Sequence, residues 1–209
     1  MEMTATTVSS STALQAAEPA WEIVELFPAK GEWDEADYLA LPGNRLIELS
    51  DGSIDVLPMP TVFHQIIVGY LYKLLDSFVR DRGLGLVLFS ALPVRLWKGK
   101  IREPDVLFMA SEQKAGIRKQ YWEAADLVME VVSENDPARD TDTKRSDYAK
   151  AGIPEYWIVD PQSQRITVLT LPGDEYAVHG QFAVGEQAAS KLLAGFEVSV
   201  KQVFAAANL

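Results

Sequence analysis

Residues 126–161 open with Asp126-Leu127-Val128-Met129-Glu130-Val131-Val132-Ser133 and close with Gly152-Ile153-Pro154-Glu155-Tyr156-Trp157-Ile158-Val159-Asp160-Pro161. Leu127 to Ser133 has the composition of a short buried strand. Asn135-Asp136-Pro137 then breaks the chain. Ala138 to Ala151 carries a helical pattern, stopped by Gly152 with Pro154 just beyond. Glu155 to Val159 is the next strand, ended by Asp160-Pro161. A strand, a helix and a strand in this order supply one parallel crossover, which makes the chain α/β.

Working outward, the other elements point to hairpins rather than further crossovers. Trp33 to Leu41 predicts a short helix stopped by Pro42-Gly43. The runs Arg45 to Leu49 and Ser53 to Leu57 flank Asp51-Gly52. That dipeptide favours a type I′ turn, which needs positive φ at both central residues. Thr61 to Arg82 is the longest helical pattern, with Ile67, Tyr70, Leu71, Leu74, Leu75 and Phe78 at helical spacing, Thr61 as N-cap and Gly83 as stop. Strands are expected at Leu84 to Phe89, Leu92 to Trp97 and Ile101 to Met109, with a polar, partly helical loop over Glu112 to Glu123. Downstream, Arg165 to Leu171 and Glu175 to Val178 predict a meander, and Phe196 to Phe204 a terminal strand and helical turn. The expected architecture is a mixed β-sheet flanked by helices.

The 209 residues, 48% of them hydrophobic, suit one domain with a real core. That domain is expected over residues 33–209. Residues 1–32 open with a Thr-, Ser- and Ala-rich stretch that has no basic start and no apolar core, so they read as a disordered leader and not as a secretory signal. No apolar run reaches the roughly 18 residues of a membrane helix. With no cysteine there are no disulfides, thiolate metal sites or cysteine nucleophiles. The expectation is a cytoplasmic protein without a membrane span. A net charge of −11 counts against nucleic-acid binding by global charge, because phosphate contacts come from Lys and Arg.

The chemistry concentrates in three charged residues. Glu130 is the lone ionisable group of an apolar strand, on a face with Val128 and Val132. A buried carboxylate needs a cation, a metal or a proton. Asp105 follows Pro104, whose missing amide proton marks a strand start, an edge or a bulge. Two carboxylates converging at a sheet edge can hold a hard divalent cation through oxygen. Lys144 shares a helix face with Tyr148 and can bring an ammonium to a phosphate or an attacking water; the plainer reading pairs it with Asp140 or Asp147 at the surface. Glu48, between Ile47 and Leu49, is a fourth candidate, the alternative being an outward position on a hairpin. His64 reads as a hydrogen-bonded core or boundary residue, and His179 carries no signal. Basic residues gather at Lys114, Arg118 and Lys119, and again at Arg139, Lys144, Arg145 and Lys150, mostly as expected surface charge. There is no Walker loop, dinucleotide fingerprint or nucleophile elbow.

Pro104-Asp105 followed by Glu130-Val131-Val132-Ser133 resembles the signature of the PD-(D/E)XK nuclease superfamily. A longer text resembles its Uma-two branch of restriction endonucleases: Tyr38-Leu39-Ala40-Leu41-Pro42, Glu48-Leu49-Ser50-Asp51-Gly52, His64-Gln65, residues 126–133 and residues 151–161. The resemblance runs from about Trp33 to the C-terminal region. It implies a restriction-endonuclease-like core, with Asp105, Glu130 and the carbonyl of Val131 as metal ligands. One departure stands out. The lysine expected two residues after the glutamate is replaced by Val132, and Lys144 on the following helix is the residue that matches.

The reading is therefore an endonuclease that hydrolyses DNA with Mg2+ or Mn2+. Lys144 positions the nucleophile or stabilises charge on phosphorus, Tyr148 orients Lys144, and Glu48 assists. Cutting two antiparallel strands suits a homodimer. The rival is a catalytically inactive nucleic-acid-binding or interaction protein that keeps the fold, favoured by the acidic balance and the displaced lysine. A weaker third reading is a hydrolase of small phosphoesters.

Overall fold

A computed structural model describes residues 28–41, 46–133 and 136–207. Most of the expected leader, and the Pro42-Gly43 stop, lie outside the described residues. Among those described, Gly31 and Trp33 donate their backbone N–H groups to the carbonyl of Gly52, at 2.7 and 3.1 Å.

The first elements form a small layer. Helix α1 (Glu35–Ala40) starts at a capping box between Asp34 and Asp37. Strands β1 (Ile47–Ser50) and β2 (Ser53–Val56) pair antiparallel, and the turn between them has φ of 47° at Asp51 and 83° at Gly52, as the dipeptide predicts. With β4 (Val94–Trp97) and β5 (Lys100–Arg102) they make an antiparallel sheet of order β2-β1-β5-β4. Tyr38, Ile47, Leu49 and Ile101 form its core.

The larger sheet has the order β10-β9-β8-β7-β6-β3. Its strands are β3 (Gly85–Phe89), β6 (Val106–Ala110), β7 (Leu127–Val131), β8 (Glu155–Asp160), β9 (Arg165–Thr170) and β10 (Ala177–Phe182). Only β7 and β8 run parallel, which is the expected crossover; the other pairs are antiparallel. Strands β11 (Gln187–Ala189), which the sequence reading missed, and β12 (Glu197–Ser199) pair with each other.

Side chains alternate across the large sheet. Val106, Phe108, Leu127, Met129 and Val131 face helix α2 (Val62–Asp81) and helix α4 (Val200–Ala205). Leu107, Met109 and Val128 face a second cluster with Tyr148 of helix α3 (Lys144–Lys150) and Tyr156. Helix α2 begins at Thr61, whose hydroxyl accepts the His64 N–H, and Gly83 beyond its end takes φ +63°. It buries Ile67, Leu71, Leu75 and Val79, each worth roughly 1.5–3 kcal/mol of apolar transfer.

Three expectations need correction. The run Ile101 to Met109 is two strands in different sheets, because Pro104 has no amide proton for a ladder and the chain changes sheets at Glu103-Pro104-Asp105. The helix expected from Ala138 begins as a π-helical turn, Arg139–Thr143, before α3. The strand expected at Glu175 to Val178 is β10, displaced to Ala177–Phe182. Among the described residues no helix is long and apolar enough to cross a membrane.

Candidate active site

The sheet change at Pro104 puts Asp105 where the two sheets meet, immediately before β6. β6 pairs antiparallel with β7, Val106 opposite Met129, so Asp105 stands beside the end of β7. Its Oδ2 accepts the Val131 N–H at 2.8 Å. The same oxygen lies 3.2 Å from Nε2 of His64, in the first turn of α2. His64 Nε2 is also 3.1 Å from the Val131 carbonyl; a carbonyl only accepts, so this bond requires the proton on Nε2. Burial favours the neutral ring, but the bond to Asp105 and the charges of Asp105 and Glu130 outweigh it and raise the His64 pKa.

Glu130 lies on the α3 face of β7 and is almost fully buried. Its Oε1 accepts from the Tyr148 hydroxyl at 2.5 Å, and its Oε2 lies 2.8 Å from Lys144 Nζ. Burial, with the Asp105 and Asp140 carboxylates beside it, lifts Glu130 above the ordinary carboxylate range, while Lys144 acts against that shift. Lys144 is buried too. Desolvation alone would lower its pKa, but Glu130 and Asp140 reverse the sign and hold the amine charged.

Asp140 completes the group. Its Oδ1 is 3.0 Å from Lys144 Nζ, and its Oδ2 accepts the Ser133 N–H at 3.2 Å. The pairing of Lys144 with Asp140 expected at the surface is thus a buried one. The π-helical turn presents Asp140 one turn before Lys144, and its carbonyl accepts from the Tyr156 hydroxyl at 2.6 Å. Neither Asp140 nor His64 was singled out as a site residue from sequence. The spacing Asp140 to Lys144, four residues on one helical face, was the available signal for the first; for the second it was the pair His64-Gln65 within the resemblance.

Glu48 is not an outward hairpin residue. It is completely buried, 2.6 Å from Arg102 and bonded to Arg139, with its Oε1 accepting the Glu103 N–H at 3.1 Å. Burial pushes its pKa up, but Lys144, Arg102 and Arg139 outweigh this and bring it below 4.5. Arg102 also binds Asp147 at 2.6 Å. Glu48 therefore sits behind Arg139 and anchors the small sheet to the helical side of the site.

Asp105, Glu130, Lys144, His64, Asp140 and Arg139 all line one pocket of about 250 Å³. Of the basic clusters noted in sequence, only Arg139 and Lys144 reach it; Arg118 pairs with Glu123, Arg145 donates to the Tyr176 carbonyl, and Lys150 stacks over Trp97. As a cation site the donor chemistry fits a hard ion. Asp105 Oδ2 and the Val131 carbonyl both face one point, marked by His64 Nε2, and Glu130 lines the same space. The buried carboxylates of Glu130 and Asp140 share Lys144, and the half-buried Asp105 stands beside them with His64 as its side-chain partner. Among the described residues no group of three or more His, Cys, Asp or Glu side chains is placed to hold a metal by itself, so a bound ion would need the carbonyl and water or phosphate oxygens as well.

Comparison with known proteins agrees with this architecture. A solved structure described as a "putative nuclease belonging to DUF820" from Anabaena variabilis is similar, with a TM-score of 0.69 over 84% of this chain and 99% of that one. At 18% identity, this likeness establishes the fold alone. No curated protein matches the chain. A family model matches residues 35–201. By that match the chain belongs to the Uma2 family, whose description reads "Putative restriction endonuclease".

Proposed function

We propose that the protein is a divalent-metal-dependent endonuclease that hydrolyses phosphodiester bonds in DNA. The observation that carries this reading is the convergence of Asp105, Glu130 and Lys144 on one pocket. Family membership supports the nuclease class.

In this reading Asp105, Glu130 and the Val131 carbonyl hold Mg2+ or Mn2+. Bound there, the ion polarises the phosphate and lowers the pKa of a coordinated water. Lys144 remains protonated at neutral pH, so it serves as a fixed positive charge for the phosphate and not as a proton acceptor. Tyr148 remains a phenol, since burial and the charge of Glu130 raise its pKa, and its hydroxyl fixes the orientation of Glu130. Arg139, held by Glu48, offers a second positive charge at the pocket wall. Glu48 acts through Arg139 as a positioning residue. A homodimer would bring two such sites together, and a cytoplasmic location agrees with the absence of cysteine.

The test is plasmid nicking with magnesium or manganese by wild type, Asp105→Ala and Glu130→Ala. Metal-dependent cutting by wild type alone supports the reading; equal cutting by all three refutes it. The net charge of −11 favours a second reading, an inactive binding protein with the nuclease fold. Absence of magnesium binding by calorimetry at millimolar concentrations would favour that alternative.

A further inference from the structure

The pocket has a second wall with a different chemistry. Val56, Met59, Val62 and Phe63 are 77%, 82%, 66% and 56% exposed, although all four are large and apolar. They fall within eight residues, on the end of β2, the loop after it and the first turn of α2. Val56, Leu57, Met59 and Phe63 line the same pocket as Glu130, Lys144 and Arg139. An apolar lip of this kind on an acidic surface marks a binding site. It is also stiffly built. Pro58 and Pro60 fix the backbone on either side of Met59, and the Thr61 cap fixes the turn that presents Phe63. Little conformational freedom remains to be lost on binding.

We propose that this lip cradles an unpaired DNA base next to the scissile phosphate, so that the substrate is single-stranded DNA or a locally unpaired stretch and not an intact duplex. The inference rests on the nuclease reading and specifies its substrate. Charge decides between the two forms. Duplex binding draws its affinity from many Lys and Arg contacts to phosphate. Here only Lys144 and Arg139 reach the pocket, on a chain of net charge −11. A base stacked on an aromatic side chain contributes about 5- to 150-fold in affinity whatever its sequence, and needs no basic residue. In a duplex that face is hidden against its neighbours; in a single strand it is free. Arg139 lines the same pocket with its side chain partly exposed, and offers a positive charge to the adjoining phosphate.

The test measures binding of the full chain to a fluorescent single-stranded oligonucleotide and to the same sequence as a duplex, by anisotropy in EDTA and in calcium. A 2-aminopurine base reports stacking. Wild type is expected to bind the single strand at least tenfold more tightly, with a change in 2-aminopurine emission. Phe63→Ala should reduce that binding by about 5- to 150-fold, and Met59→Ser, which removes apolar contact but no ring, should reduce it less; both are surface changes. Equal binding of the two forms, or no effect of either variant, overturns the inference; if wild type still nicks duplex plasmid and Asp105→Ala does not, the nuclease reading survives that result. Conversely, a single-strand preference lost in Phe63→Ala, with no cutting of any DNA, sinks the nuclease reading and keeps the cradle. A wild-type dimer in sedimentation that Phe63→Ala converts to monomer assigns the lip to a second copy of the chain and also overturns the inference.

Discussion

The Nζ of Lys144 lies 2.8 Å from Oε2 of Glu130, and both side chains are buried. The glutamate comes from the middle of the large sheet and the lysine from the start of α3. Asp140 binds the lysine as well, and the Tyr148 hydroxyl donates to the glutamate. Two residues after the glutamate the chain has Val132, and the amine beside Glu130 comes from further along the chain, on the helix.

Lys144→Met tests the amine. It leaves Glu130 and Asp140 without their shared cation, and removing one partner of a buried pair costs roughly 3–5 kcal/mol. Urea denaturation should show that loss, and nicking should fall by at least about 100-fold, as expected when a preorganised charge is removed. An unchanged rate would remove Lys144 from the chemistry.

Metal binding should stabilise the native state through Asp105. At 100 times the dissociation constant the gain is about 2.7 kcal/mol, or roughly 5–10 °C in melting temperature for a chain of this size. Differential scanning fluorimetry with magnesium or manganese should show the rise in wild type, its reversal by EDTA, and little of it in Asp105→Asn. A similar rise in the variant would place the ion elsewhere.

Tyr148→Phe isolates one hydrogen bond. The ring and its packing against Tyr156 remain, but Oε1 of Glu130 loses its donor at 2.5 Å. The expected cost is about 1–3 kcal/mol of stability, with a smaller loss of nicking than Lys144→Met gives. A drop in activity equal to that of the lysine variant would mean the phenol itself takes part in the reaction.

Glu48 makes a pH-dependent prediction. Its folded-state pKa lies below the ordinary 4.5, so its contribution is present above that value and is lost as pH falls through the folded pKa. Glu48→Gln should destabilise the protein by roughly 3 kcal/mol at neutral pH. The gap to wild type should close in acid well below 4.5, where the carboxyl of wild type is itself protonated. Urea midpoints of both proteins across that range would check this, and a gap constant with pH would contradict it.

Much of the fold is legible because it depends on local patterns. Asp51-Gly52 announces its turn, Thr61 and Gly83 bracket α2, and the apolar run of β7 followed by Glu155 to Val159 announces the parallel pair. The failures occur where local pattern is blind to partners. Ile101 to Met109 reads as one strand although Arg102-Glu103-Pro104-Asp105 interrupts its apolar residues, and only the pairing of each half reveals two sheets. Glu48 alternates with apolar neighbours as an outward residue would, yet Arg102 and Arg139 arrive from elsewhere and make its burial tolerable.

By itself, the sequence determined the order of elements, the one parallel crossover, and the choice of Asp105, Glu130 and Lys144 as charges that demanded an explanation. Turn chemistry and the periods of strand and helix act over a few residues, so they are written in the order of the chain. Only the tertiary structure decided that His64 meets Asp105, that Asp140 shares Lys144 with Glu130 in the interior, and that Glu48 stands behind Arg139. A buried charge is tolerated by whatever reaches it through space, and that is settled when the two sheets and the helices close around the junction at Pro104.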